Sequence, residues 1–458
     1  MSQAAADRLK TLPDCLEGEP PIAVRSIDVD GEAGELQLPR SRTGDPYRRM
    51  LALVRRNGRP LGWAALPVAP TGRVSFDRLV VELRDSSANA CAVPIQTPRV
   101  GRERPRDSRP SPTVGVVAAP SLSIVVATCA APSSAVACVE AILASDGDRF
   151  EVIVVENRPS GSPVERALHE RFGGDSRLLY VEEDRAGLSS ARNAGLRAAR
   201  GEVVAFTDDD VLVDPAWIAS IRDAFATAPD VSCVTGLILP LEFETPAQLL
   251  VERFAGFGKG LTPRVYSLDA PPADQPLFPY TAGYFASGAN MAFRTDVLRG
   301  FGGFDPVLGT GTPARGGEDL DICIRLLLAG ARLAYEPRAI VWHRHPDTHA
   351  GMRRRVFDYG TALGAMATKH LLVGPNRWGI VSRVPRGLRY YTNPRSRKNA
   401  LRGSSFPRRL SLLERLGLLC GPFAYLVSRL HAGGASPIAR PDQRGGTPGQ
   451  VVRSRGLC

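Results

Sequence analysis

Four short apolar runs set the pattern of the middle of the chain. They are Ser123-Ile-Val-Val-Ala-Thr128, Glu151-Val-Ile-Val-Val-Glu156, Arg177-Leu-Leu-Tyr-Val181 and Val203-Val-Ala-Phe206. Runs of this length without polar interruption predict strands buried on both faces. Between them lie stretches with helical spacing, over about 133–145, 163–172 and 188–199. Strands alternating with helices predict an α/β fold, a mostly parallel sheet flanked by helices. Ligands of such sheets sit at the carboxyl ends of the strands. Here those ends carry Thr128, Glu156 and Asp208-Asp209-Asp210. No GxGxxG follows the first run, which disfavours a dinucleotide fold of the usual kind.

The pattern changes on either side. Upstream, Ile22 to Ile27 reads as a strand, and Met50–Arg55 and Leu61–Leu66 read as a hairpin turning at Asn57-Gly58. Residues 1–95 are therefore expected to form a small β-rich module. Residues 96–120, rich in Arg, Pro and Ser, read as a linker. The α/β domain is expected over 121–372. Within it, residues 255–285 hold Gly256, Gly258, Gly260 and several prolines, the make-up of a binding loop or lid, where an acceptor would sit. Residues 373–433 read as a basic helical region and 434–458 as a disordered tail.

Charge sharpens this division. The net charge is +11, yet residues 352–458 carry 20 Lys/Arg against 3 Asp/Glu, or +17, leaving 11 − 17 = −6 for the rest. Such a basic third suits an anionic partner or a solubilising surface. Few aromatics interleave with its arginines and no nucleic-acid motif occurs, so nucleic acid is not the expected partner. The apolar segment 410–430, flanked by Arg408, Arg409 and Arg429, has the make-up of a helix lying in a membrane interface. It equally suits a helical pair covering the α/β domain. Gly421-Pro422 predicts a break or kink in it. Its longest apolar run, 416–427, is shorter than a bilayer span. The charged first twenty residues argue against a signal peptide. Eight scattered cysteines without a CxxC argue for a reducing compartment. A cytoplasmic protein is expected, with peripheral contact at the inner face of the plasma membrane through 408–430 as an option.

Three adjacent carboxylates repel one another, and a divalent cation removes that cost. Mg²⁺ or Mn²⁺ takes hard oxygen ligands, often one or two carboxylates plus substrate phosphates. An acidic loop is the plain alternative. Gly317-Glu318-Asp319 opens a helix, where carboxylates also serve as a structural cap. His343, His345 and His349 are three of only six histidines.

The ordered set of motifs resembles family 2 glycosyltransferases with the GT-A fold, of an actinobacterial type with an N-terminal β-rich extension. It comprises the first two runs, Gly187-Leu-Ser-Ser-Ala-Arg-Asn-Ala-Gly195, Asp208-Asp-Asp210, Ser287-Gly-Ala-Asn-Met-Ala-Phe-Arg294, Gly303-Phe-Asp305, Gly317-Glu-Asp-Leu-Asp321 and Trp342-His343. The resemblance implies an enzyme moving a sugar from a nucleotide-diphosphate donor to a hydroxyl acceptor, a lipid-linked one included, with inversion. By the same likeness, Thr128 and Glu156 would hold the nucleobase end of the donor, with Arg192, Asn193, Asp208 and Asp209 around the nucleotide. Asp210 and Asp208 would bind Mg²⁺ or Mn²⁺, and His343 would reach the metal or diphosphate. Asp319 would be the general base, Glu318 completing the acidic pair. Two positions depart from the family pattern: Ala127 stands where Pro is frequent, and Glu156 where Asp is usual. A nucleotide-sugar binder without turnover, or a basic adaptor for an anionic partner, are the competing expectations.

Overall fold

The computed structural model describes residues 11–80, 119–432 and 455–456, apart from short gaps. Residues 1–10 and 81–95 of the expected module, 96–118 of the expected linker, and 434–454 and 457–458 of the expected tail lie outside the described residues.

The N-terminal strands are β1 (Ala23–Asp28), β2 (Glu35–Gln37), β3 (Arg49–Arg56), β4 (Arg59–Pro67) and β5 (Arg73–Ser75). β3 and β4 pair antiparallel around Asn57-Gly58, whose φ angles of 48° and 72° fit a two-residue type I′ turn. β1 adds to β3 in parallel, and β2 pairs with β5. Val24, Leu51, Leu53 and Trp63 bury their side chains in one cluster with Phe243, Leu249 and Phe285 of the α/β body. An ion pair, Arg55 to Asp214 at 2.7 Å, adds to that contact.

The body runs β6 (Leu122–Thr128), α1 (Pro132–Leu143), β7 (Phe150–Asn157), α2 (Pro163–Phe172), β8 (Leu178–Glu183), α3 (Leu188–Ala198), β9 (Val203–Asp208) and β10 (Val211–Val213). It continues through α4 (Trp217–Thr227), β11 (Val231–Pro240), α5 (Pro246–Ala255), β12 (Arg264–Tyr266), β13 (Met291–Arg294), α6 (Thr295–Gly300), α7 (Glu318–Leu328) and β14 (Arg332–His343). The helices α8 (His349–Leu372) and α9 (Arg408–His431) follow. The sheet order is β10-β14-β11-β13-β9-β6-β7-β8, with β12 beside β14 and Arg455–Gly456 beside β8. β9, β6, β7 and β8 are mutually parallel, as are β11 and β14, while β13 runs antiparallel between β9 and β11. Every residue of β6 is buried. Its alternate side chains enter two cores, Ile124 and Val126 on one face and Val125 and Ala127 on the other. That explains the unbroken apolar run. Gly195 sets how closely α3 lies on this sheet, since a Cβ there would stand 2.3 Å from Val125 Cγ1.

α8 and α9 pack side by side in parallel along a seam of glycines. A Cβ on Gly364 would lie 2.4 Å from Leu418 O, and one on Gly417 would lie 2.3 Å from Phe357 O. Gly360 and Gly421 are equally crowded by the facing backbone. α9 runs unbroken through Pro422, contrary to the break expected there. Tertiary packing of Gly421 on Gly364 overrides a local cost of about 3 kcal/mol for an interior proline. The run 416–427 alone is shorter than a bilayer span. As one continuous helix, Arg408–His431 is long and apolar enough to cross one by length and composition. Its face away from α8 exposes Leu412, Leu416, Leu419, Phe423, Leu426 and Leu430.

Gly364→Val should therefore destabilise the protein by about 1–3 kcal/mol through overpacking, measured by urea unfolding. Gly258→Ala, where nothing lies within 4 Å of the new Cβ, should stay within about 0.5 kcal/mol of the parent.

Candidate active site at the carboxyl edge of the sheet

Strand register alone assembles most of the motif residues. Thr128 stands opposite Glu156 in the β6–β7 pair, and Ala127 stands opposite Asp208 in the β6–β9 pair. Beyond Asp208 the chain turns through Asp209 and Asp210 into β10. β10 pairs antiparallel with β14, with Val211 facing His343. The result is a group of three candidate metal ligands, Asp208, Asp210 and His343, whose ligand atoms lie within 4.8 Å of one another.

The three aspartates are held differently. The Thr128 hydroxyl donates to Asp209 Oδ2 at 2.5 Å. Burial pushes the Asp209 carboxyl up to about 6 against that bond, and Asp210 and Asp208 add to the rise. Burial and then Asp208 push Asp210 up as well. Asp208 Oδ1 accepts from Arg192 Nη2 at 2.9 Å, and Arg192 Nη1 donates to Glu318 Oε1 at 2.7 Å. Arg192 is only 2% exposed. It thus joins the aspartate turn to the acidic N-terminus of α7. Glu318, buried, is raised by its desolvation and by Asp319, with Arg192 opposing.

Asp319 is the more open member of the acidic pair. Its Oδ2 accepts from the Gly288 N–H at 2.7 Å and its Oδ1 from the Leu320 N–H at 2.8 Å. Gly288 serves both motifs, because a Cβ there would stand 2.5 Å from Arg192 Nη2. Asp321 belongs to a separate structural knot. Lys369 reaches it at 2.7 Å, Arg325 at 2.9 Å and His370 at 3.0 Å. Complete burial would raise its pKa, yet Lys369 and Arg325 foremost, with the His370 contact, hold it far below the usual carboxylate range.

A cation fits between Asp210 and His343. Asp210 Oδ1 is buried and has no hydrogen-bond donor among the described residues. His343 Nε2 faces it at 3.4 Å. Burial, with His345 and Arg355 nearby, pushes the His343 pKa down to about 3. That shift favours the neutral ring, in which one nitrogen carries a lone pair, as a metal ligand requires.

The remaining expected residues are placed as follows. Glu156 is buried and accepts from the Tyr180 hydroxyl at 2.7 Å. Asn193 uses both ends of its amide on the backbone of Phe304, at 2.8 and 2.9 Å, and so fixes the frame beside Arg192. His349 is exposed at the start of α8. Two residues escaped the sequence reading. Arg355 of α8 is held above its ordinary pKa by Tyr359 first, with Asp210 and Asp208 contributing. Lys259 has a buried ammonium without a hydrogen-bond partner among the described residues. Burial pushes it down to about 8, with the charge of Asp319 the main opposing influence. The run Arg353-Arg354-Arg355 and the glycine-rich loop 255–285 were the available signals for these two.

The model of the family described as "Glycosyltransferase like family 2" matches residues 119–357, more than half of the chain. The chain belongs to this family. Among curated relatives, "Pre-mycofactocin glycosyltransferase" of Mycobacterium tuberculosis is 33% identical over 222 residues. That match covers 48% of this chain and 43% of the relative, so the chain spans less than half of that protein's length. "Glucosyl-dolichyl phosphate glucuronosyltransferase" of Haloferax volcanii is 26% identical over 222 residues, covering 45% of this chain and 63% of the relative. Among solved structures, a mannosyltransferase from Pyrobaculum calidifontis in complex with GDP-Man and Mn²⁺ is similar at 20% identity and a TM-score of 0.40. That likeness covers 73% of this chain and 80% of the other. The family assignment agrees with the α/β sheet and the crowded acidic edge already described.

The Arg192 bridge generates a stability test. Arg192→Met would leave Glu318 and Asp208 without their common counterion, and should cost about 3–5 kcal/mol in urea unfolding. Adding Glu318→Gln should recover part of that loss. A single-variant cost below about 1 kcal/mol would remove Arg192 from this role.

Proposed function

We propose that the chain transfers a sugar from a nucleoside-diphosphate donor to a hydroxyl acceptor with inversion at the anomeric carbon. The observation that carries this reading is the Arg192 bridge. It holds a candidate metal-binding turn and a candidate base motif on one edge of the sheet.

In this reading Asp208, Asp210 and His343 hold Mg²⁺ or Mn²⁺. When bound, the cation offsets charge developing on the departing diphosphate. Thr128, Glu156, Arg192, Asn193, Asp208 and Asp209 form or frame the nucleotide side. Asp319 accepts the proton of the acceptor hydroxyl. The oxygen forms its bond to the anomeric carbon as the bond from that carbon to the phosphate oxygen breaks. The nucleoside diphosphate leaves with the electron pair. The contacts favour Asp319 over its neighbours as base: Glu318 is tied to Arg192 and Asp321 to Lys369, Arg325 and His370.

The acceptor side extends the proposal to a lipid surface at the inner face of the plasma membrane. The exposed apolar stripe of α9 is bordered by Arg408, Arg409, Arg415 and Arg429, all exposed. Trp378, Val381, Val384 and Leu388 are also exposed, among Arg377, Arg386 and Arg389. Apolar side chains ringed by arginine complement anionic headgroups, at about 1 kcal/mol per basic residue. A lipid-linked hydroxyl acceptor suits a site held there.

Asp210→Ala should abolish Mn²⁺-dependent transfer and hydrolysis of UDP- or GDP-sugars, assayed with radiolabelled donors. Undiminished turnover in EDTA would contradict the metal role. Asp319→Asn should lower turnover on the order of 10²–10⁴-fold with donor binding nearly intact; normal turnover would move the base elsewhere. In flotation with anionic liposomes at low salt, Leu416→Ser with Leu419→Ser and Phe423→Ser should leave the protein in the soluble fraction while the parent floats. Equal recovery of both in the soluble fraction would make the stripe a protein-packing surface.

A further inference from the structure

Behind His343 lies a second buried pair that the donor chemistry does not use. Glu252, on the last turns of α5, is 4% exposed, and His345 is 2% exposed. His345 Nε2 lies 2.8 Å from Glu252 Oε2. His345 Nδ1 lies 3.3 Å from Nδ1 of His343. The other nitrogen of His343, Nε2, faces Asp210. Four groups thus form a file from α5 to the aspartate turn.

The order of protons along this file follows from its end. A carboxylate only accepts, so a neutral His345 places its N–H on Nε2, toward Glu252. Its Nδ1 then holds a lone pair. That lone pair accepts from His343 Nδ1–H. His343 Nε2 is left with its lone pair pointing at Asp210 Oδ1. Two acceptors facing each other at 3.4 Å leave a place for a cation to bridge them. If the file ran the other way, His343 would place an N–H on Asp210 and hydrogen-bond to it, closing the gap to metal.

The surroundings lock the file in place. The Phe257 ring stacks on His345, with centroids 5.4 Å apart, and tilts over His343 at 5.7 Å. α5 is fixed by a capping box between Thr245 and Gln248, and ends at Gly256 in the left-handed region, φ 55°. That glycine turns the chain so that Phe257 covers the imidazoles. Gln248 Nε2 also donates to His345 O at 3.4 Å.

We propose that Glu252 and His345 are positioning residues that set the tautomer of His343, so that Nε2 is presented to a divalent cation. The inference rests on the metal reading of the site given above. Outer-shell partners of metal-bound histidines commonly change metal affinity about 10- to 100-fold.

Two measurements test it on the full chain. The first is nitrogen-detected NMR of metal-free protein labelled with ¹⁵N-histidine, where only six histidines need assignment. His343 should carry its proton on Nδ1 and His345 on Nε2; a His343 proton on Nε2 would overturn the proposal without any mutation. The second is Mn²⁺ titration by electron paramagnetic resonance, without donor. Glu252→Met, checked for native circular dichroism, should weaken Mn²⁺ binding about 10- to 100-fold and move the His343 proton. Glu252→Gln, whose amide oxygen still accepts, should retain most of the affinity. Parent-like Mn²⁺ affinity in folded Glu252→Met, alongside loss of binding in Asp210→Ala, would overturn the relay and leave the metal site standing. Parent-like binding in Asp210→Ala would instead remove the metal reading itself.

Discussion

Five carboxylates, those of Asp208, Asp209, Asp210, Glu318 and Asp319, converge on one edge of the sheet, and the buried guanidinium of Arg192 holds two of them together. In water such a group would spread apart. In a folded interior each charge raises its neighbours' affinity for protons, and burial raises Asp209, Asp210 and Glu318 here. The arrangement persists because the fold fixes its backbone. β9 delivers Asp208, α7 delivers Glu318 and Asp319, and α3 delivers Arg192 between them. A site that holds excess negative charge ready for a cation is costly without one and stable with one.

Close backbone approaches make this geometry attainable. Gly195 lets α3 settle on β6, which places Arg192 one turn earlier at the strand's end. Gly288 leaves room for the guanidinium and gives its N–H to Asp319. Asn193 seals the frame by pairing with the Phe304 backbone. A side chain at either glycine would separate the aspartate turn from the acidic helix without touching an acidic residue. The same device recurs in the parallel α8–α9 pair, where four glycines bring two helices into backbone contact. There it leaves the opposite face of α9 apolar and open.

Much of this was legible in the sequence. The first four body strands read clearly because each is an unbroken apolar run buried on both faces, and the Asn57-Gly58 hairpin read clearly because its turn chemistry is local. β13 was not legible as an antiparallel strand, since four residues carry no direction of their own and pairing with β9 and β11 decides it. The unbroken passage of α9 through Pro422 depends on α8, which local propensity does not see. At the site, Asp208–Asp210, Glu318, Asp319 and His343 stood out by type and order. The Arg192 bridge, the Glu252–His345 file and the buried ammonium of Lys259 did not. Each depends on residues far apart in the chain meeting in a place that only the tertiary fold creates.

The central claim is that Asp210 and His343 are poised to share a divalent cation. The most direct measurement is anomalous diffraction at the manganese edge, from crystals of the full chain soaked with Mn²⁺ and UDP or GDP. The account predicts a peak at bonding distance from both the Asp210 carboxylate and His343 Nε2, with the diphosphate on its open side. A Mn²⁺ peak bound elsewhere, with Asp210 Oδ1 and His343 Nε2 joined instead by a direct hydrogen bond, would contradict it.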